Sequence, residues 1–264
     1  NGKRCEISTR ISQGDIVQLY INDEFFDNSN KITPQFMKAP CALNIVYEDD
    51  NIMLVDKKCG LVVHEDESGT ADTLINRIHH YLFSKGEFDP EKENTFAPAL
   101  CNRIDRNTGG IVICAKNSES LRILNQKIKD REIHKNYLCV TIGIPDKAHD
   151  ILTAYHERNE QTKTVKISAN KTPYNKTMIT EYTVIKVNKN DNLALLDVNL
   201  ITGRTHQIRV HMKYLGHPLT GDYLYNPDYR ILDHQALHSW KLVFRHPVTG
   251  AQMQFKADPP WKLP

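Results

Sequence analysis

Asn102-Arg103-Ile104-Asp105-Arg106-Asn107-Thr108-Gly109-Gly110, running straight into Ile111-Val112-Ile113-Cys114-Ala115-Lys116, is the stretch on which the reading of this chain turns. The apolar run from Ile111 to Ala115 is short, rich in β-branched residues and bounded by turn signals, which predicts a buried strand. The polar nine before it read as a loop in which two arginines flank one acid and paired glycines lead into the strand. A turn whose Asp and Asn bond their own backbone accounts for such a segment. Polar residues packed between apolar strands also mark a candidate site.

Outward from that loop the chain keeps changing period. Upstream, Ile45-Val46-Tyr47-Glu48 and Ile52-Met53-Leu54-Val55 flank Asp49-Asp50-Asn51, the pattern of a hairpin, and Thr73 to Tyr81 places Leu74, Ile78 and Leu82 on one helical face. The charged stretch from Gly86 to Asn94 reads as a mobile loop. Downstream, Asn117 or Ser118 caps a helix carrying Leu121, Leu124 and Ile128. Lys135 to Ile144 then alternates as a strand, with Tyr137, Cys139 and Thr141 on one face. A basic hairpin, strand-like runs at Glu181 to Val187 and Leu193 to Ile201, a helix from near Thr205, and strands near Leu237 to Arg245 and Ala251 to Lys256 complete the order. Strands outnumber helices and hairpin connections dominate. The expected fold is α+β, a mixed, mostly antiparallel sheet flanked by helices and loops. At the amino terminus, residues 1–26 are strand-like around Gly14-Asp15-Ile16-Val17, and residues 27–43, polar with Pro34 and Pro40, read as a linker to a main domain over 44–264.

The second segment with concentrated polar chemistry is Thr202-Gly203-Arg204-Thr205-His206-Gln207-Ile208-Arg209-Val210-His211. On a helix, positions 204, 208 and 211 share one face, and His206 and Arg209 another. His206 and His211, five positions apart, make a poor helical pair for one metal ion, so no metal site is expected.

Composition narrows the class without choosing within it. With 264 residues, 40% hydrophobic and 25% charged, the chain has the balance of a globular protein. A formal net charge of +2 gives no global cationic field. Nucleic-acid binding would rest on local groups such as Arg122, Lys127, Lys129, Arg131 and Lys135, or Lys163, Lys166, Lys171 and Lys176, each of which also reads as a solvated surface. The six cysteines have no zinc-finger spacing and point to a reduced, cytoplasmic protein without a disulfide framework. No apolar run approaches the roughly 18 residues of a membrane helix. The chain opens on Asn1-Gly2-Lys3-Arg4 with no start Met and no signal peptide, so further residues are expected upstream.

Taken together, these motifs resemble the RluA family of RNA pseudouridine synthases. The first segment is similar to that family's His-Arg-Leu-Asp-x-x-Thr-Ser-Gly before a strand ending Ala-Lys, and here the strand ends Ala115-Lys116. The second is similar to its Thr-Gly-Arg-x-His-Gln-Ile-Arg-x-His helix, with the sequel Gly216-His217-Pro218-Leu219-Thr220-Gly221-Asp222. Lys135-Asn136-Tyr137, the Ile45 to Gly60 hairpin with its Lys-x-x-Gly, Ala236-Leu237-His238 and His246-Pro247 match in order, so the resemblance spans residues 44 to 257. Two positions depart from it: Asn102 stands for the usual His, and Gly109 for the usual Ser. Residues 1–26 resemble the later half of an alpha-L RNA-binding motif.

The resemblance implies an isomerase that turns uridine of structured RNA into pseudouridine and needs no cofactor. It implies Asp105 as the catalytic carboxylate, Tyr137 as the aromatic that packs on the base, and Arg204 as the arginine paired with the acid. It further implies that Arg103 fills the gap left by an extruded base, and that Arg106, Lys135, His206, Gln207 and Arg209 contact RNA. The layout is most similar to the branch acting on large-subunit ribosomal RNA; relatives directed at tRNA share the same motifs. A monomer is expected. An RNA-binding protein with a dead catalytic domain would lack Asp105, Tyr137 or Arg204, and all three are present. An unrelated hydrolase would show a Ser or Cys nucleophile on a sharp turn or a set of metal ligands, and neither is visible.

Overall fold

The structure is a computed structural model describing residues 9–10, 12–16, 34–65, 69–92, 96–158, 164–228 and 232–262. The chain divides into two compact units, Asn1–Pro34 and Gln35–Pro264. In the first, Ser12 and Asp15 close a turn: the Ser12 amide donates to Asp15 Oδ2 at 2.8 Å, and the Asp15 amide to the Ser12 carbonyl at 3.1 Å. Most of the strand expected from Ile16 lies outside the described residues, as does the expected linker from residue 27 to residue 33.

The rest of that linker is packed structure. Gln35–Lys38 is a 3₁₀ turn whose Phe36 is buried, its ring 5.7 Å from those of Phe83 and Phe88. The Ala39 carbonyl lies 2.7 Å from Nδ1 of His80. Composition suggested a linker because of the prolines; a single aromatic anchor overrides it. Phe88 likewise ties down part of the charged stretch expected to be a loop, and Glu87 there pairs with Lys85 and Lys116.

The second unit is built on an eleven-stranded sheet ordered β1-β2-β4-β10-β5-β9-β8-β6-β7, with β11 on β10 and β3 on β4. The strands are β1 (Ile45–Glu48), β2 (Ile52–Lys57), β3 (Ala99–Leu100), β4 (Gly109–Ala115), β5 (His134–Ile142), β6 (His149–Arg158), β7 (Val165–Ser168), β8 (Lys176–Asn188), β9 (Leu193–Leu200), β10 (Leu237–Arg245) and β11 (Gln252–Lys256). The pairings between these strands are antiparallel except β4 with β10, which run parallel through His238 opposite Gly109 and Ser239 opposite Gly110. The mixed, mostly antiparallel α+β sheet therefore forms as the sequence implies. The expected basic hairpin forms from two strands, β6 and β7.

Both faces of the central strands are buried. Met53, Val55, Val112, Cys114, Tyr137, Cys139 and Leu196 pack into one layer with Leu74, Ile78 and Leu82 of α1 (Leu74–Ser84) and with Ile208 and Met212 of α3 (Gln207–Tyr214). Ile52, Leu54, Ile111, Ile113, Leu242 and Phe244 form the other layer, against Leu124 of α2 (Ser118–Lys129). Alternate residues of one strand thus feed opposite cores, because successive side chains of a strand point to opposite faces. Full burial stabilises each such side chain by about 1.5–3 kcal/mol. Both longer helices begin where a side chain satisfies a free backbone amide: Thr73 caps Asn76 and Asn117 caps Ser120. The parallel junction of β4 and β10 brings the start of β4, and so the end of the loop before it, level with Leu138 and Tyr137 of β5.

Candidate active site

Asp105 lies in the loop between β3 and β4, next to the buried Ile104 and between the exposed Arg103 and Arg106. The loop is held from beneath. Lys57, fully buried at the end of β2, donates from Nζ to the carbonyls of Arg106 at 2.9 Å, Lys58 at 3.0 Å and Leu61 at 2.7 Å. The Gly60 amide also donates to the Arg106 carbonyl, and Cys59 Sγ to that of Asn107. Burial pulls the Lys57 ammonium down to about 8, and the nearby carboxylates of Asp105 and Asp56 only partly restore it. Asn102, where the family usually has His, still holds the loop: its Oδ1 accepts from the Ile113 amide at 2.9 Å. Gly109 fits its surroundings for a steric reason, since a Cβ there would lie 2.9 Å from Nδ1 of His238.

The arginine beside Asp105 is Arg209, not Arg204. Arg209 Nη1 donates to Asp105 Oδ2 at 3.1 Å, while its Nε and Nη2 each hold one oxygen of Asp222 at 2.7 Å. Arg204 is exposed, its Nε 3.4 Å from the Thr177 carbonyl. The reason lies in the backbone. His206 adopts a left-handed conformation, φ +55°, and α3 begins only at Gln207, so Arg204 belongs to a turn outside the helix while Arg209 sits in its first turn. Burial opposes the Arg209 charge, but the carboxylates of Asp222 and then Asp105 outweigh it and raise its pKa.

The rest of the second segment sorts itself by contact. Gln207, expected to touch RNA, is buried and knits the turn together. Its Nε2 donates to the Ile179 carbonyl and Thr180 Oγ1, and its Oε1 accepts from Thr202 Oγ1 and the Arg204 amide. Arg209, also expected on RNA, is committed to two carboxylates. His206 and Arg209 are both turned to Asp105, although His206 lies outside the helix whose spacing would have grouped them. His206 Nε2 lies 3.8 Å from Asp105 Oδ2 and its Nδ1 lies 2.8 Å from the Tyr225 hydroxyl. His211 points elsewhere, with Nδ1 2.7 Å from Thr180 Oγ1.

Asp105 opens onto a cleft of about 740 Å³ lined also by Arg103, Lys129, Arg131, Lys135, Tyr137 and Arg204. Tyr137, on β5, is buried in the cleft floor. Burial pushes its phenol up to about 12, with the Asp105 charge adding to the shift and a hydrogen bond from Ser239 offsetting part of it, so the hydroxyl stays protonated at neutral pH. Burial lowers the Lys135 ammonium. Arg106 is exposed and outside the cleft lining. Three of the five residues of the first basic cluster, Lys129, Arg131 and Lys135, therefore line the cleft wall, whereas Lys127 pairs with Glu132. Sequence reasoning gave no role to Lys57, Asp222 or Tyr225. An acid following Gly221 in an otherwise apolar and aromatic stretch was the available signal.

A buried arginine held by one carboxylate and offered to a second, at the floor of a cationic cleft, defines a site for chemistry on a polyanion. Comparison with known proteins agrees in class. The sequence pattern of the RNA pseudouridylate synthase family matches residues 51–214. An uncharacterized RNA pseudouridine synthase of Bacillus subtilis, YhcT, is 30% identical over 94% of this chain and 78% of its own length. Another from Chlorobaculum parvum is 32% identical over 98% and 82%. A Borreliella burgdorferi protein named ribosomal large subunit pseudouridine synthase D is 35% identical over 85% of this chain and 66% of that protein. The chain belongs to the RNA pseudouridine synthase family and is an isomerase of that type. Its fold is shared with the human RNA pseudouridylate synthase domain containing 1 protein, at 22% identity and a TM-score of 0.66 over 83% of this chain and 84% of that one.

Proposed function

We propose that this enzyme isomerises particular uridines of large-subunit ribosomal RNA, with Asp105 as its catalytic carboxylate. One observation carries the reading: a carboxylate gripped by the buried Arg209–Asp222 pair faces a cleft walled by five cationic side chains, Arg103, Lys129, Arg131, Lys135 and Arg204. Isomerisation breaks the bond from C1′ to N1, turns the uracil and forms a bond from C1′ to C5, with the C5 proton lost and N1 protonated. No electrons are exchanged with another reactant. Swinging the base out of its stack costs a few kcal/mol, which phosphate contacts along the cleft walls offset. Arg209 holds the Asp105 carboxylate in place for its attack on the sugar through a charge-assisted hydrogen bond. The Tyr137 ring packs on the base, and Arg103 occupies the space the base leaves.

Asp105→Asn tests the chemistry on RNA tritiated at C5 of uracil. Tritium release is expected to vanish while RNA affinity stays within a fewfold; substantial residual release would overturn the role of Asp105. The choice of ribosomal RNA rests on the name of the Borreliella relative and on the layout of a small amino-terminal RNA-binding module before the catalytic domain. A tRNA substrate is the alternative. Mapping pseudouridines in RNA from cells with and without the gene decides between them. The same reading has the enzyme acting as a monomer in the cytoplasm.

A further inference from the structure

We infer that His206 is a positioning residue that, together with Arg209, ties down one oxygen of Asp105, Oδ2, and so leaves Oδ1 as the oxygen that reacts. The inference rests on the proposed role of Asp105 and adds to it a second residue and a choice of atom.

Both groups aimed at Asp105 address the same atom. Arg209 Nη1 is 3.1 Å from Oδ2, and His206 Nε2 is 3.8 Å from it. Among the described residues no group donates to Oδ1. A carboxylate held by one oxygen has its plane set, and the free oxygen is then presented to the cleft in one orientation.

The direction of the His206 hydrogen follows from Tyr225. The Tyr225 hydroxyl oxygen accepts from the Val165 amide at 3.2 Å and lies 2.8 Å from His206 Nδ1. The ring is buried, and Nδ1 of His206 is the acceptor that the described contacts of Tyr225 offer its hydroxyl hydrogen. A hydrogen on Nδ1 would leave that hydroxyl hydrogen without an acceptor, at a cost of about 1–3 kcal/mol for a buried donor. Nδ1 therefore accepts, the ring hydrogen sits on Nε2, and Nε2–H faces Asp105. The remaining gap of 3.8 Å closes with a shift under 1 Å, as is common for active-site hydrogen bonds that tighten when substrate arrives.

The backbone at His206 supports a purpose beyond packing. Its φ of +55° is a conformation that a residue with a Cβ adopts at a cost of order 1–3 kcal/mol, and such residues gather where a side chain must be aimed. Arg209 also braces the relay, with its guanidinium carbon 5.0 Å above the centre of the Tyr225 ring.

Two amide substitutions separate the two ends of the imidazole. An asparagine amide reaches about as far as Nδ1, tolerates positive φ, and loses the hydrogen aimed at Asp105. A glutamine amide reaches about as far as Nε2 and restores it. In single-turnover assays at saturating RNA, His206→Asn should slow tritium release by about a hundredfold, the scale of a small misplacement of a reacting group. His206→Gln should recover to within about tenfold of wild type, with RNA affinity little changed in either. Nitrogen NMR of the full chain should show a protonated Nε2 and a bare Nδ1 at His206, with that preference lost in Tyr225→Phe. Equal losses in the Asn and Gln variants, a protonated Nδ1 in the wild type, or weakened RNA affinity with an intact rate would each overturn the inference. If either variant fails to fold, the NMR comparison with Tyr225→Phe decides. Asp105→Asn run alongside keeps the outcomes apart. A normal rate in His206→Asn with a dead Asp105→Asn removes only the role of His206; an active Asp105→Asn removes the reading beneath it.

Discussion

Arg209 touches Asp105 with one nitrogen, at 3.1 Å, and Asp222 with the other two, at 2.7 Å each, so the arginine facing the cleft is anchored by an acid that solvent never reaches. The guanidinium is a rigid planar fork, and a bidentate grip on Asp222 fixes its plane. What remains free to move is the Asp105 side of the contact. The pair therefore works as a post against which the Asp105 carboxylate is set.

Arg209→Met leaves Asp222 charged and buried without its cation, and should cost about 3–5 kcal/mol of stability as well as turnover by orders of magnitude. The double variant Arg209→Met with Asp222→Leu replaces the buried pair by apolar groups, which is often close to neutral. It should regain most of the stability and none of the turnover. Urea denaturation and single-turnover rates measure both. Recovery of activity in the double variant would show that Arg209 serves the fold alone.

Arg204, exposed on the cleft wall, should behave as a phosphate contact. Arg204→Met is expected to weaken binding of different RNAs about equally and to reduce the slope of log affinity against log salt by about 1. The rate at saturating RNA should stay near that of wild type. A rate loss at saturation with unchanged affinity would return Arg204 to the chemistry.

Lys57 gives stability a pH dependence. Its ammonium titrates near 8 in the folded chain because burial disfavours the charge, whereas an unfolded lysine titrates near 10.4. Between those values the unfolded state binds more protons, so stability rises with pH across the window. The rise is absent below about 8 and complete above about 10.4, and its size is on the order of 3 kcal/mol. Lys57→Met should remove it, and should also lower stability at neutral pH by freeing the carbonyls of Lys58, Leu61 and Arg106. Urea midpoints from pH 7 to 10 test this; parallel curves for the two proteins would contradict it.

Gly110 sits where β4 meets β10, with φ +108° and the space of its missing Cβ only 2.3 Å from the Ser239 carbonyl oxygen. Gly110→Ala meets both a forbidden backbone conformation and a neighbouring strand that cannot yield. The conformational part alone is worth about 1–3 kcal/mol, which in a chain of this size lowers the melting temperature by several degrees. Since the parallel junction positions the Asp105 loop, turnover should fall with it. An unshifted melting curve would mean that the junction is looser than its geometry indicates.

Sequence alone determined the architecture and the neighbourhood of the chemistry, because both are written in local patterns. Alternating apolar residues marked β1, β2, β5 and β9, helical spacing marked α1 and α2, and the Asp105 loop stood out as polar residues between buried strands. Tertiary structure decided which arginine meets Asp105. One residue in a left-handed conformation moves the start of α3 past Arg204, and histidine's preference for positive φ is too weak to mark that turn in the sequence. It also decided that Phe36 packs and that Gln207 is buried. Lys57, Asp222 and Tyr225 were present in the motifs without a role, because a charged or hydroxyl-bearing side chain declares its partner only when distant strands and loops close around it.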